Sequence, residues 1–327
     1  MKRNPQAGML RNAGLSFSVL TPDEVTDIHL ATLEVLERTG IFVEGEDALA
    51  IFSDGGARVD RSTGTVRIPA HLVEDAIRSA PPKVVLCGRD PANDVVLEAG
   101  RVGFTNFGEG TQVIDLQTGE LRDSTKADVA DSARLVDALP ELDVYERAVA
   151  AHDVPQDSAT LHQAEMWFTN TSKHGFMGSQ DGFISKQLFA MAAAIAGGEE
   201  ALRARPLISW ITCPVSPLKL VRESCEIIVE AARHGVAVNI LSMAMAGGSS
   251  PVTLAGTLVT HNAEVLAGIT LNQLTERGSP VIYGSSTTAM DLRLAAASVG
   301  TPECALISAA VAQLARHYLL PSWVAGA

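Results

Sequence analysis

The sequence feature that most constrains the fold is a series of short apolar runs typical of β-strands in the last two-thirds of the chain. Helical patterns fill the gaps, and the runs recur roughly every 30 to 45 residues, as expected for one strand and its crossover helix in a (β/α)8 barrel. The seven runs are Val102–Phe107, Val144–Ala150, His174–Gly178, Leu207–Thr212, Val236–Ser242, Pro280–Tyr283 and Leu320–Ala325. The pattern predicts an α/β protein with a TIM (β/α)8-type barrel, incomplete at about seven strands, over residues 101–327.

The first hundred residues have a different pattern, which predicts an α+β cap over residues 1–100. A capping threonine, a proline and two acids at Thr21–Glu24 predict a helix that runs to Gly40. A second helix is expected over Glu46–Ser53 and a third after Pro69. Short β runs are expected at Thr65–Ile68, Lys83–Cys87 and Asp94–Leu97.

Composition and charge exclude several classes of protein. Apolar residues make up 46% of the chain and charged residues 19%, which indicates elements buried on both faces. The most apolar stretches, such as Ala305–Ala315, are too short to span a bilayer, and Met1–Leu20 lacks the apolar core of a secretion signal. We therefore expect a cytoplasmic protein without a membrane partner. A net charge of −13 argues against a nucleic-acid partner.

The four cysteines are spread along the chain without a C-x-x-C pair. This spacing indicates reduced thiols rather than a disulfide framework or a cysteine-rich zinc site. The spacing of the eight histidines likewise matches no zinc motif. His261 and Glu264 share one face of a predicted helix, where a buried pair is favoured over a metal site. Cys213 at a strand end is expected to be a buried thiol.

The last predicted strand, Leu320–Ala325, enters a glycine-containing turn at which the sequence stops. A barrel that ends on seven strands leaves two rows of backbone groups unpaired. The pattern therefore predicts that the sequence is incomplete.

Four stretches carry a resemblance to a known family. They are Gly45–Leu49 with Gly55–Asp60, Thr118–Arg122 with Ala138–Asp143, Thr212–Leu218, and Met243–Gly248 with Pro251–Gly256. Their order and spacing resemble the trimethylamine methyltransferase family, and the resemblance spans nearly the whole chain. It implies a TIM-barrel methyltransferase that acts on a tertiary or quaternary methylamine, with a separate corrinoid protein as methyl acceptor.

The resemblance also implies what this chain does and does not carry. Corrinoid (cobalamin) would be bound by the partner protein, so no cofactor or metal is expected on this chain, and a homo-oligomer is expected. In founding members of the family, a pyrrolysine encoded by an amber codon follows a segment similar to Leu320–Ala327. The resemblance therefore implies truncation at the pyrrolysine position, directly after Ala327.

Candidate site residues follow the predicted strands, where barrel enzymes place their chemistry. Asn106 lies at the end of the first run and Glu109 follows it; Glu109 is the candidate catalytic carboxylate, which could offset a substrate cation or protonate an imine. An exposed loop acid between two glycines is the alternative. Asn106 is a candidate for substrate binding. Gln180 is another, with ordinary turn chemistry as its alternative.

Three further candidates for substrate binding lie near the last strands. Tyr283 and Trp323 could make cation–π contacts with an amine, although core packing is the favoured role for each of these aromatic residues. Thr287 belongs to a group of four hydroxyl residues that could line a polar pocket. A turn that ends in helix caps is the alternative for Thr287.

Several functions remain open at this point. Besides trimethylamine, the substrate could be glycine betaine or a similar compound, as in family members without pyrrolysine. A Schiff-base aldolase or a metal-dependent lyase is a different barrel enzyme, but no lysine follows Lys219 and the last strands therefore carry no amine. A third class is a catalytically inactive module that binds a methylamine or a corrinoid protein.

Overall fold

The computed structural model describes residues 18–98 and 100–325. These residues form two compact units, which we call the middle unit (residues 85–98 and 100–211) and the flanking unit (residues 18–84 and 212–325). The expected division into a cap and a barrel at residue 100 follows a different criterion and stays a prediction. The expectations for Met1–Leu20 and for the chain beyond Ala325 lie wholly or partly outside the described residues.

The amino-terminal part of the flanking unit contains the three predicted helices and the predicted strand near Thr65–Ile68 in the expected order, together with two strands that were not predicted. Helix α1 (Pro22–Glu34) begins at a capping box formed by Thr21 and Glu24 and continues into a π-helical turn at Val35–Thr39. The remaining elements are β1 (Ile41–Val43), α2 (Glu46–Asp54), β2 (Arg58–Asp60), β3 (Thr65–Arg67) and α3 (Ala70–Ser79). Strand β3 pairs antiparallel with both β1 and β2.

The middle unit begins with small strands and continues as alternating strands and helices. Strand β4 (Lys83–Leu86), which starts just before the unit, is followed by β5 (Val95–Glu98) and by the hairpin of β6 (Gln112–Ile114) and β7 (Leu121–Asp123). The later elements are α4 (Lys126–Ala138), β8 (Val144–Glu146), α5 (Ala159–Asn170), β9 (His174–Gly178), α6 (Gly182–Ala196), α7 (Glu199–Ala204) and β10 (Ile208–Thr212). Single 3-10 turns occur at Pro91–Asn93 and Gln156–Ser158.

Strands β8, β9 and β10 form a parallel sheet against which the helices of the middle unit pack. The register sets Val144 opposite His174, and Ile208 opposite Gly175. Gly175 is required by this packing, because a methyl group at that position would lie 2.2 Å from the Trp167 ring of α5. The buried apolar residues of these strands explain why they are recognisable in the sequence.

The expected strand at Val102–Phe107 is wrong. Only Thr105 forms a bridge, which is parallel to Val144. The Thr105 hydroxyl donates to the carbonyl of Val144, and the Asn106 side chain bonds both the N–H and the carbonyl of Glu146. Side chains therefore replace the backbone ladder along β8, which is why this segment is irregular.

The carboxyl-terminal part of the flanking unit contains the remaining expected strands. Its elements are β11 (Lys219–Leu220), α8 (Arg222–His234), β12 (Ala237–Ser242), β13 (Met245–Ala246), α9 (Leu254–Thr275), β14 (Val281–Ser285), β15 (Thr288–Asp291), β16 (Ala296–Ala297), α10 (Pro302–His317) and β17 (Ser322–Val324). Strand β14 lies between β12 and β17 in a parallel arrangement, and β11 pairs parallel with β1.

Six of the seven expected runs are therefore strands, and the predicted α/β class is confirmed. Within each unit, these strands pair in the predicted parallel direction. Across residues 18–98 and 100–325, no helix combines the length and the apolar sequence needed to cross a bilayer.

Candidate functional site

The middle unit carries a carboxylate cluster, which we define as Glu109, Glu146, Arg147 and Gln163. Glu146 is the last residue of β8. The neighbouring Tyr145 hydroxyl contacts the Ser132 hydroxyl of α4 at 3.0 Å, so Glu146 extends from the opposite face of the strand. The predicted candidate Asn106 holds the Glu146 backbone through hydrogen bonds of 2.7 and 3.0 Å. The end of β8 that carries the cluster is therefore held by the Tyr145 contact with α4 and by the Asn106 hydrogen bonds to the Glu146 backbone.

Glu109 reaches the cluster from the loop that replaces the expected first strand. Its backbone has φ of 69°, an uncommon conformation for a residue other than glycine, and its N–H donates to the Arg147 carbonyl at 3.1 Å. The Glu109 carboxylate forms an ion pair with the Arg147 guanidinium. Arg147 also donates to Gln163 of α5 at 2.7 Å. Arg147 is thus held by a carboxylate and an amide at the same time.

The Glu146 carboxylate lies in a different environment. Among the residues that the structure describes, no hydrogen bond to this carboxylate is found. The pKa of Glu146 is raised to about 7, mainly by burial and also by the neighbouring Glu109 charge, whereas Arg147 opposes the shift. The Gly108 backbone packs directly on the carboxylate, because a methyl group at position 108 would lie 2.6 Å from Oε1. The cluster therefore contains two carboxylates and a single arginine.

Sequence reasoning identified Glu109 and Asn106 but missed Glu146 and Arg147. The signal was present, because the predicted strand Val144–Ala150 contains an adjacent acid and base within an otherwise apolar run. Charged residues are rarely buried without a specific role. Gln180 is exposed, and its amide donates to the Gln156 carbonyl at 3.0 Å. Its expected role in substrate binding stays a prediction.

Two of the candidates in the flanking unit, Tyr283 and Thr287, belong to a buried polar group near the ends of β12 and β14. Tyr283 is fully buried, its hydroxyl donates to Asn262 of α9 at 2.6 Å, and its ring lies edge-on to His261. The Thr287 hydroxyl donates to the Ser242 carbonyl and contacts His261 Nδ1 at 3.0 Å. These contacts engage Tyr283 and Thr287 within the unit. Their roles in substrate binding stay predictions.

Glu264 occupies the same buried group, but its partners differ from those expected. It accepts hydrogen bonds from the Ser242 hydroxyl at 2.6 Å, from the Ser216 hydroxyl at 2.8 Å and from the Leu218 N–H at 2.9 Å. His261 bonds Thr287 instead, so the expected pairing of His261 with Glu264 is wrong. Burial lowers the pKa of His261 to about 3 and raises the pKa of Glu264.

The remaining candidates are placed as follows. Trp323 is partly buried on β17, opposite Gly284 of β14. Cys213 is exposed, which corrects the expectation of a buried thiol, and none of the four cysteines forms a disulfide. In the described part of the chain, no group of three or more His, Cys, Asp or Glu residues is arranged to hold a metal ion.

The environments of two lysines give a further reason against the Schiff-base aldolase class. Lys173 is buried, and its ammonium group donates to the carbonyls of Val136, Leu139 and Leu142 at 2.5 to 2.7 Å. Lys219 pairs with Glu44 at 2.7 Å. These lysines therefore satisfy backbone carbonyls and a carboxylate, and neither is placed as a neutral amine nucleophile.

Comparisons with known proteins bear on this site. The profile of the family described as Trimethylamine methyltransferase (MTTB) matches residues 2–327. The chain is 54% identical to trimethylamine methyltransferase MttB of Desulfitobacterium hafniense (strain DSM 10664 / DCB-2) over 98% of its length, and 45% identical to MttB of Methanosarcina barkeri (strain Fusaro / DSM 804) over 99%. It is 36% identical to a glycine betaine methyltransferase of Desulfitobacterium hafniense (strain Y51) over 94%.

The chain spans about two-thirds of the length of these relatives, 65%, 67% and 64% respectively. Among solved structures, the fold is similar to the Methanosarcina barkeri monomethylamine methyltransferase MtmB with a TM-score of 0.54, and to a hydroxylamine complex of MtmB with a TM-score of 0.55. Each match covers 93% of this chain and 66% of the other, at 14% sequence identity. At this identity, the likeness concerns the α/β fold alone.

Proposed function

Because this chain belongs to the trimethylamine methyltransferase family, we propose that it takes part in methyl transfer from trimethylamine, or a related tertiary or quaternary methylamine, to Co(I) of a cognate corrinoid protein. The observation that carries this proposal for the site is the Glu146 carboxylate, which lies without a hydrogen-bond donor among the described residues and beside a second carboxylate. The uncompensated negative charge of such a group favours a cationic ligand, and a methylated ammonium ion is one.

The chemistry asks the protein mainly for positioning. The N–C bond of the ammonium ion breaks, the methyl group passes to the cobalt, and the nitrogen keeps the electron pair and leaves as a neutral amine. Glu109 and Glu146 would hold the cation, and Asn106 would position Glu146 through its backbone. The expected roles of Gln180, Tyr283, Thr287 and Trp323 in substrate binding are not part of this cluster and stay predictions. The corrinoid would belong to the partner, so no cofactor is assigned to this chain.

Trimethylamine is favoured over glycine betaine by the state of Arg147. Betaine carries a carboxylate as well as a quaternary nitrogen, and that carboxylate would need a cation of its own. Arg147 is already paired with Glu109 and bonded to Gln163, so a betaine carboxylate here would face Glu109 and Glu146 instead. Repulsion between the betaine carboxylate and these two carboxylates would oppose binding. Betaine is therefore the second candidate, supported by the more distant relative.

The proposal is tested by binding and by transfer. Titration calorimetry with trimethylammonium, tetramethylammonium and glycine betaine measures binding, and the loss of Co(I) absorbance measures methyl transfer to reduced cobalamin, free or protein-bound. Glu146→Gln should weaken binding of trimethylammonium on the order of tenfold, because it removes the uncompensated negative charge. The matched control Glu120→Gln, in the exposed β6–β7 turn, should leave binding unchanged.

Three results would change the assignment. Binding of all three ligands that is equally weak in the wild type and in Glu146→Gln would refute the carboxylate cluster as the amine site. Tight binding of betaine alone would favour the second candidate. Methylamine binding without any methyl transfer would favour the inactive binding module.

We propose that the chain contributes to a TIM (β/α)8-type barrel, which is supported by the alternating strands and helices and by the fold likeness to MtmB. A cytoplasmic location, a homo-oligomeric state and a pyrrolysine position after Ala327 stay predictions.

A further inference from the structure

The carboxylate cluster has an imbalance of charge that the proposed methyl transfer does not by itself explain. Arg147 is engaged by the Glu109 carboxylate and by the Gln163 side-chain oxygen. Glu146 therefore shares its surroundings with a cation that another carboxylate already neutralises. If both carboxylates were ionised, the cluster would hold a net negative charge on a largely buried strand end.

The surroundings of Glu146 favour its neutral form while the site holds no cation. Burial raises the pKa of this carboxyl to about 7, the Glu109 charge acts in the same direction, and Arg147 acts against both. These are the charged groups that face Glu146 among the described residues, and Asn106 and Gln163 add neutral amides. Close to neutral pH, Glu146 therefore carries a proton about half of the time.

We propose that a methylammonium ion binds at the carboxylate cluster in exchange for the proton of Glu146. This inference rests on the proposed function, because it takes the amine site to be this cluster. In the exchange, the O–H bond of the Glu146 carboxyl breaks, the proton passes to the solvent buffer, and the resulting carboxylate lies against the ligand cation. Charge in the cluster is thereby conserved, and no oxidant or reductant is needed.

The exchange gives the site a way to distinguish substrate from product. When the methyl group leaves, the nitrogen becomes a neutral amine and no longer stabilises an ionised Glu146. The carboxyl then regains a proton from solvent, and the neutral cluster retains the amine less well. Proton release on binding and proton uptake after transfer would therefore alternate in each turnover.

The sign of the pH dependence follows from linkage. A cation that binds only beside ionised Glu146 lowers the pKa of that carboxyl, so binding releases protons and affinity rises with pH. The rise should approach tenfold per pH unit below about 7 and should level off above it. Tetramethylammonium is the suitable probe because it has no N–H, so any proton released must come from the protein.

Calorimetry of tetramethylammonium binding at pH 7, in two buffers with different ionisation enthalpies, measures the number of protons released. We expect about half a proton per cation for the wild type, and none for Glu146→Gln, whose affinity should not vary between pH 6 and pH 8. Glu109→Gln should shift proton release to lower pH, because it removes the neighbouring negative charge and frees Arg147 to stabilise ionised Glu146. Glu120→Gln should match the wild type.

The outcomes separate this inference from the proposed function. Tight binding of tetramethylammonium with no proton release, at an affinity independent of pH, would overturn the exchange and leave the methylammonium site in place. Failure of every methylammonium ion to bind would overturn both. The buffer comparison on the wild-type protein needs no variant, so it decides the question even if Glu146→Gln does not fold.

Discussion

Substitution of Glu264 tests whether its three buried hydrogen bonds stabilise the flanking unit. This residue of α9 is fully buried and accepts hydrogen bonds from two other segments: from the Ser242 hydroxyl at the end of β12, and from the Ser216 hydroxyl and the Leu218 N–H in the loop after β10. Replacement by alanine would remove the acceptor for all three donors at once. Replacement by glutamine would keep the shape and exchange one oxygen for an amide nitrogen.

The two replacements should differ because hydroxyls can reverse their role and an N–H group cannot. The Leu218 N–H bonds Oε1, and both serine hydroxyls bond Oε2. A glutamine that places its oxygen toward Leu218 can donate one amide hydrogen to each serine, because each hydroxyl can rotate to become an acceptor. We therefore expect Glu264→Gln to cost about 1 kcal/mol or less.

Glu264→Ala should cost considerably more. It leaves an N–H and two hydroxyls without a partner in the interior, at roughly 1 to 3 kcal/mol for a group that cannot be solvated, and it opens a cavity. Since the hydroxyls can find other partners, we expect a total of about 3 to 5 kcal/mol. The free energy of unfolding at pH 7, from urea titrations followed by circular dichroism, measures both effects.

The matched control is Glu120→Ala, on the exposed β6–β7 turn, which should change the stability by less than about 0.5 kcal/mol. Equal losses for Glu264→Gln and Glu264→Ala would refute the reasoning about exchangeable hydroxyls. A loss below about 1 kcal/mol for Glu264→Ala would refute the joining role of this side chain.

Three further predictions concern the middle unit. Lys173→Met should lower the free energy of unfolding by about 2 to 4 kcal/mol, because three carbonyls at and beyond the end of α4 lose their hydrogen bond to the ammonium group; an unchanged urea midpoint would contradict this. Gly108→Ala should weaken tetramethylammonium binding about tenfold in calorimetry, since the methyl group would displace the Glu146 carboxylate; wild-type affinity would show that the carboxylate is not the ligand. Because the folded pKa of Glu146 is raised, its protonation favours folding, and stability should fall by up to roughly 3 kcal/mol between pH 4.5 and pH 8. Glu146→Gln should flatten that part of the pH profile, and a slope equal to the wild type would show that another group is responsible.

The sequence by itself determined the elements whose stabilising interactions are local. The helix start at Thr21 lies where it was predicted, because its cap is completed by Glu24, three positions away. The buried strand His174–Gly178 also has the predicted bounds. A continuous apolar run predicts a strand that is buried on both faces, and this prediction needs no knowledge of the distant residues that pack on the strand.

Only the tertiary structure decided the interactions that join distant parts of the chain. Val102–Phe107 has a strand-like sequence, but the side chains of Thr105 and Asn106 bond a strand about 40 residues away and displace the regular ladder. Glu109 meets Arg147 across 38 residues, and Glu264 meets Ser216 across 48. The periodic pattern of apolar residues predicts whether a residue is buried, but it does not predict which distant residues it contacts. The sequence pattern therefore did not predict that Glu109, Glu146 and Arg147 form one charged cluster.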